Sequence, residues 1–249
     1  LLILKWLLIL CLALSSLPNI AAQSNNTLKY NISSSGSHYP FYTNNPKRPG
    51  VLPEIIEKVL IDANISASHE SLPAKRITKY LNEGIIDFDV ISLDWLPQSE
   101  RTNTKYVFSD PLITVTEMLV TLPENTKKWQ HVSNMEGKNV GTVLGYYYHN
   151  ADTFKRVDFP SEKELIEALV RKRVDVAIIG ELPTLYWSQK LNINIGFGAQ
   201  YSHGFLRIRL LSKHKHLMPI INKVIKNLHS IGYINNIAEK YMKEIPIQN

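Results

Sequence analysis

The sequence predicts an α/β protein built as two similar lobes. Strand-like and helix-like segments alternate along the chain, as in sheets covered by helices. One short arrangement occurs twice: Leu81 lies six residues before Asp87, Leu169 lies six before Asp175, and each aspartate precedes an apolar, strand-like run. Two strongly β-forming stretches, 114–122 and 204–212, suit chain crossings from one lobe to the other.

Composition narrows the classes. The chain has 249 residues, 44% hydrophobic and 20% charged, a globular balance rather than a disordered one. The formal charge of +6 is spread along the chain, with no Lys/Arg block dense enough to track phosphates, so no nucleic-acid partner is expected. Lys5 precedes an apolar run, Leu7 to Leu14, which ends in Ser15, Ser16, Pro18 and Ala21-Ala22. That pattern reads as a secretory signal over residues 1–22, cleaved after Ala22, and too short in its apolar part to span a bilayer comfortably. Cys11, the one cysteine, falls inside it, so disulfides, a thiol nucleophile and a cysteine zinc site are not expected in the mature chain. No histidine spacing suggests a metal site.

The elements follow in order. Thr27 to Ile32 is a first strand, leading into a polar Ser/Gly loop and then His38-Tyr39-Pro40-Phe41-Tyr42. Gly50 to Asp62 is an amphipathic helix with Leu52, Ile55, Ile56, Val59 and Leu60 on one face. Ala67 to Leu72 is a strand, and Pro73 opens a helix through Arg76, Ile77, Tyr80 and Leu81. Phe88 to Ile91 is a short buried strand; Pro97 and Ser99 then favour a turn or a helix start. This puts Arg101 just beyond the carboxyl end of a strand, where open α/β sheets bind ligands, with a planar fork suited to a carboxylate. Thr114 to Leu122 is the first crossing and 125–131 a helical linker; Val140 to Leu144 is a strand. Ser161 and Glu164 have capping-box spacing before the helix holding Leu165, Ile166, Ala168 and Leu169. Val174 to Ile179 is a strand, 183–190 a helix and 193–197 a strand. Gly204 to Ser212 is the return crossing; Leu217 to Ser230 and Tyr233 to Met242 are helices parted by Gly232.

Gly84-x-x-Asp87, Glu100-Arg101 and Phe108-Ser109-Asp110-Pro111 together resemble family 3 of the bacterial extracellular solute-binding proteins, the amino-acid type of ABC uptake systems. The resemblance runs over roughly residues 27–243 and implies the type II periplasmic binding protein fold. Its boundaries would be 23–119 and 207–249 for one lobe and 120–206 for the other. It implies that Arg101 holds a ligand carboxylate, that Tyr39, or His38 by strict offset from Pro40, covers the ligand, and that Arg76 faces the cleft. Trp95 is a second aromatic wall, and Glu181 or Asp94 pairs with a ligand amine. The sequence departs from the family at Ala74, at Tyr146 and Tyr147 where hydroxyl residues are usual, and at Gly180 where an Asp is usual. Backbone N–H groups beyond Gly145 can still bind a carboxylate there. The resemblance implies a periplasmic monomer that delivers a small, amino-acid-like solute to an ABC permease, without catalysis, cofactor or metal. A ligand-binding accessory of a sensor is the alternative. Some relatives are dehydratases of cyclic phenylalanine precursors; Glu181 or His38 would then serve as the titratable group.

Overall fold

A computed structural model describes residues 27–33 and 38–243; the expected leader, with Cys11, lies outside these. Strand β1 (Leu28–Asn31) leads to helix α1 (Val51–Asp62), β2 (Ala67–His69), α2 (Ala74–Asn82) and β3 (Phe88–Ser92). A 3-10 turn, Leu93–Trp95, the short helix α3 (Gln98–Arg101) and β4 (Tyr106–Phe108) follow, then the long strand β5 (Ile113–Thr121). After two 3-10 segments come β6 (Asn139–Val143), β7 (Lys155–Phe159), α4 (Glu162–Val170), β8 (Val176–Gly180) and α5 (Glu181–Lys190). β9 (Gly196–Leu211), α6 (Met218–Ser230) and α7 (Tyr233–Met242) complete the chain.

The strands form one mixed sheet in the order β2-β1-β3-β9-β5-β8-β6-β7, with β4 also on β9. Two parallel triplets stand out, β2-β1-β3 and β7-β6-β8, with the same internal order. Each puts its first strand in the middle, so the chain reverses direction across the sheet at β1 and at β6. β9 lies antiparallel to β3 from Leu206 to Leu210 and to β5 from Gly196 to Leu206, and β5 lies antiparallel to β8. The apolar core divides the same way. One cluster joins β1, α1, Phe88, Leu206 to Leu210, α6 and Tyr241. Two others join Leu119, Val120, β6, α4 and β8. Helix α1 buries Leu52, Ile55, Ile56 and Val59, the face its periodicity predicts.

The structure corrects several sequence expectations. Residues 193–212 do not hold two strands; one 16-residue strand runs from Gly196 to Leu211. Gly198 lies against the Trp129 backbone and Gly204 against the Asp94 side chain, so these glycines mark close approach rather than a break. Ser161 stands at the N-cap of α4, but its hydroxyl bonds the Glu164 carboxylate and makes no side-chain cap bond to the helix. β7 was unexpected, because KRVDF is polar and only partly buried at the sheet edge. The motif residues hold the frame together. Asp87 accepts from the Lys29 N–H at 3.0 Å and meets Lys213 and His214 at 2.8 Å each. Ser109 Oγ accepts from the Ile208 N–H at 3.0 Å, and the Arg207 guanidinium donates to the Ser109 carbonyl at 2.7 Å.

Candidate functional site

In α/β sheets, ligands bind beyond the carboxyl ends of strands where strand order reverses. This chain has two such places, and their loops converge. Past β1 come residues 38–42, past β3 the turn holding Trp95, past β6 the loop Leu144–Tyr148, and past β8 the start of α5. Two cavities lie among them, of about 210 Å³ and about 360 Å³. They share His38, Trp95, Glu117 and Tyr146 as walls, and so form two chambers of one cleft.

Local packing explains the placement. Gly204 of β9 has no side chain, which lets Asp94 and Ser92 sit directly on it; a Cβ there would collide with both. The Ser92 hydroxyl accepts from the Asp94 N–H at 3.3 Å and starts the turn that presents Trp95. Gly145 has φ +90°, and a Cβ on it would meet Lys75 Cγ at 2.6 Å, so the loop beyond β6 rests against the start of α2.

The smaller chamber is lined by carboxylates and rings. His38 Nδ1 lies 2.6 Å from Glu162 Oε1, and the Tyr146 hydroxyl donates to that oxygen at 3.3 Å. Glu162 opens helix α4 and is almost fully buried; the positive end of the helix favours its charge. Glu117 of β5 accepts a hydrogen bond from the Ser202 hydroxyl at 2.6 Å and another from the Trp95 side chain. The β5–β9 register shifts between Glu117, opposite Ser202, and Met118, opposite Gln200, leaving Tyr201 as the extra residue of a bulge. Burial raises the Glu117 carboxyl to about 7. Ser202, Trp95 and His38 pull it back down, while Glu162 pushes it up. Burial also raises the Tyr148 phenol, which accepts from the Val143 N–H at 2.9 Å.

The larger chamber is mostly apolar, with Ile32, Leu52, Ile77, Val90 and Leu206 among its walls. Its charged wall holds the Arg209–Asp89 pair, with Glu100 and Glu117 also lining it. Arg209 is fully buried and donates to both Asp89 oxygens, at 3.0 and 2.6 Å, the two-point geometry of a guanidinium on a carboxylate. Burial opposes the Arg209 charge, but Asp89 outweighs it and raises its pKa.

The structure thus brings together His38, Trp95 and Tyr146 at both chambers, Tyr147 at the larger and Glu181 at the smaller. Four other expected residues line neither. Tyr39 is buried, stacked on Tyr186 at 3.6 Å, and donates to the Tyr241 carbonyl at 3.0 Å. Its neighbour His38 therefore takes the cleft position of the pair. Arg76 is exposed on α2. Arg101 is turned into its own loop, donating through Nε to the Leu96 carbonyl at 2.8 Å and through Nη2 to that of Asp94 at 3.4 Å. The Asp94 carboxylate sits over Gly204, 3.9 Å from Arg101. Arg101 and Asp94 also act across the cleft on His149, whose pKa is lowered by burial and by Arg101 and raised in part by Asp94. Glu117, Glu162, Asp89 and Arg209 were missed by the sequence reading. A signal existed for two of them: Glu117 and Arg209 are charged residues inside long β-forming runs, ITVTEMLVT and GFLRIRLLS. Among the described residues, no group of three His, Cys, Asp or Glu side chains could hold a metal, and no helix is long and apolar enough to cross a membrane.

Neither a protein-family model nor a curated protein matches the chain. Solved structures do. The amino acid ABC transporter substrate-binding protein AbpA from Streptococcus pneumoniae, bound to L-arginine, superposes with a TM-score of 0.73 at 17% identity over 92% of this chain and 99% of that one. The chain has the substrate-binding-protein fold. A histidine kinase sensor domain with similarity to periplasmic binding proteins shares it at TM-score 0.71 and 14% identity, over 87% of this chain and 96% of that one. So does the ancestral amino acid-binding protein AncCDT-1, described as a precursor of cyclohexadienyl dehydratase, at 0.69 and 17%, over 86% and 95%.

Proposed function

We propose that this protein is a periplasmic solute-binding protein that captures a small polar ligand between two lobes and passes it to an ABC permease. The lobes would be 23–119 with 207–249, and 120–206, joined through β5 and β9. The observation that carries the reading is the convergence of His38 and Trp95 from one strand triplet with Tyr146, Glu162 and Glu181 from the other around Glu117 on a connecting strand. A ligand touching both sides favours the closed arrangement, because it binds that arrangement better. The fold, shared with proteins that bind amino acids, supports this reading. Arg101 is the proposed carboxylate contact at the rim, on the turn walling the larger chamber, once it releases the Leu96 carbonyl. Glu181 and the buried carboxylates are the proposed amine partners.

Thermal unfolding of the purified protein against amino acids, amines and small organic acids tests it. A ligand at 100 times its dissociation constant adds about 2.7 kcal/mol. A stabilising solute whose effect fades in Arg101→Ala supports both the function and the anchor. A solute indifferent to that change sinks the anchor alone, and silence across the panel sinks the function.

A sensor-domain role uses the same cleft and differs only in the downstream partner. The specific observation favouring catalysis is Glu117, a buried acid raised to about 7 beside His38. Incubation with a cyclic phenylalanine precursor, followed by chromatography, decides it: turnover abolished by Glu117→Gln supports an enzyme, and unchanged substrate removes that reading.

A further inference from the structure

The charges lining the two chambers do not balance, and the imbalance identifies a ligand class. In the smaller chamber Glu117 and Glu162 face a space whose one basic wall residue is His38, already held 2.6 Å from Glu162. Glu117 has only neutral hydrogen-bond donors, Ser202 and Trp95. In the larger chamber Arg209 is matched by Asp89 through two hydrogen bonds, with its Nη1 left without a partner, and Glu100 and Glu117 add two further carboxyl groups to the wall. Among the described residues, the carboxyl groups lining each chamber outnumber its basic side chains, so a ligand carboxylate would be buried against an excess of acidic groups, which is costly. A ligand cation would meet the reverse: the Glu117 carboxyl, hydrogen-bonded only to neutral donors, with the aromatic side chains of Trp95 and Tyr146 as further walls.

The larger chamber adds a second requirement. Its volume of about 360 Å³ exceeds the 210 Å³ of the first, and Ile32, Leu52, Ile77, Val90 and Leu206 line it. A ligand consisting of a charged head alone would leave that surface uncovered.

We infer that the cleft selects an amphiphilic organic cation, with an ammonium or amidinium head against Glu117 and Glu162 and an elongated apolar or aromatic body in the chamber walled by Ile77 and Leu206. This rests on the binding-protein reading above, narrows its ligand to an amine, and does not need the Arg101 carboxylate contact. The carboxylate of an ordinary α-amino acid is dispensable here, and an apolar tail replaces it as the second determinant.

Matched pairs that differ in the head group test the inference: 2-phenylethylamine against 3-phenylpropanoate, and hexylamine against hexanoate, with ethylamine as the tailless head. Binding is followed by calorimetry and by thermal unfolding, on the wild type, Glu117→Gln, Glu162→Gln and Ile77→Trp. Each variant is first checked by far-UV circular dichroism. The two tailed amines are expected to raise the melting temperature by about 5–10 °C at 100-fold excess over the dissociation constant, and the acids to leave it unchanged. Removing one carboxylate charge weakens the amines by about 10- to 100-fold. Ile77→Trp fills the apolar chamber and erases the advantage of the tailed amines over ethylamine. Two carboxylates are tested so that a fold defect in one variant leaves the other to report.

Acids binding as well as amines would overturn the inference, as would amine affinities indifferent to both Gln variants or to Ile77→Trp. If α-amino acids stabilise the protein while the simple amines do not, the inference falls and the binding-protein reading stands. Silence of amines, acids and amino acids alike removes both.

Discussion

Strand β9 carries two polar residues beside the cleft, Arg209 in the wall of the larger chamber and Ser202 behind Glu117, and the two have opposite surroundings. Arg209 is matched charge to charge by Asp89, whereas Ser202 offers only a hydroxyl to Glu117. The first arrangement is matched in charge: Asp89 takes two hydrogen bonds from Arg209, only Nη1 is left without a partner, and most of the chamber beside them is apolar. The second is incomplete, and the cost of that is recorded in a carboxyl raised by burial to about 7. A buried charge that already has its partner holds the fold; one matched only by neutral donors is available to something else.

The sharpest way to break this comparison is Asp89→Ala. It leaves Arg209 buried and unpaired, and should cost about 3–5 kcal/mol in denaturant unfolding. Replacing both, Asp89→Ala with Arg209→Met, should recover most of that loss. If the single and double variants are equally unstable, the pair is not the matched unit described here.

Next in size is the pH dependence of Glu117. Its folded value is raised above the ordinary 4.5, so between pH 4.5 and 7 the folded chain holds a proton that the unfolded chain has released. Stability therefore falls as pH rises through that window, by about 3 kcal/mol in all, and the contribution is constant outside it. The groups facing Glu117 are Ser202, Trp95, His38, Glu162, Tyr148 and Tyr201. The useful quantity is the difference between wild type and Glu117→Gln, which isolates this one group. That difference should slope between pH 4.5 and 7, and a flat difference would mean that Glu117 stays ionised throughout.

The smallest effect sharpens the contrast between two neighbours. Tyr39→Phe removes a buried hydrogen bond to the Tyr241 carbonyl and should cost about 1 kcal/mol of stability while leaving ligand affinity unchanged. A loss of affinity comparable to that from a change at His38 would return Tyr39 to the cleft.

Most of the fold could be read from the sequence because apolar periodicity and turn residues report local structure directly. Helix α1, the repeated strand–helix unit and the Gly232 break all appear where their patterns put them. The cleft could be read only in part. His38, Trp95 and Tyr146 were reachable from their place beyond strand ends. Glu117 and Arg209 stand out only as charges inside β-forming runs, since a strand's alternation says which side chains share a face but not which charge they will meet across the sheet. Arg101 illustrates the opposite failing. A motif gives its position beyond β3, but its direction depends on carbonyls of its own turn, at Leu96 and Asp94.

The bulge beside Glu117 has a mechanical meaning. If β5 and β9 are the straps about which the two halves swing, local twist concentrates where their register slips, between Glu117 and Met118. A rotation displaces each atom in proportion to its distance from the pivot. Glu117 and Ser202, lying on it, keep nearly the same positions whether the jaws are apart or together. Tyr146 and Trp95, carried on loops, travel farther. On the proposed hinge, the carboxylate would be a fixed berth, and the rings the parts that arrive last.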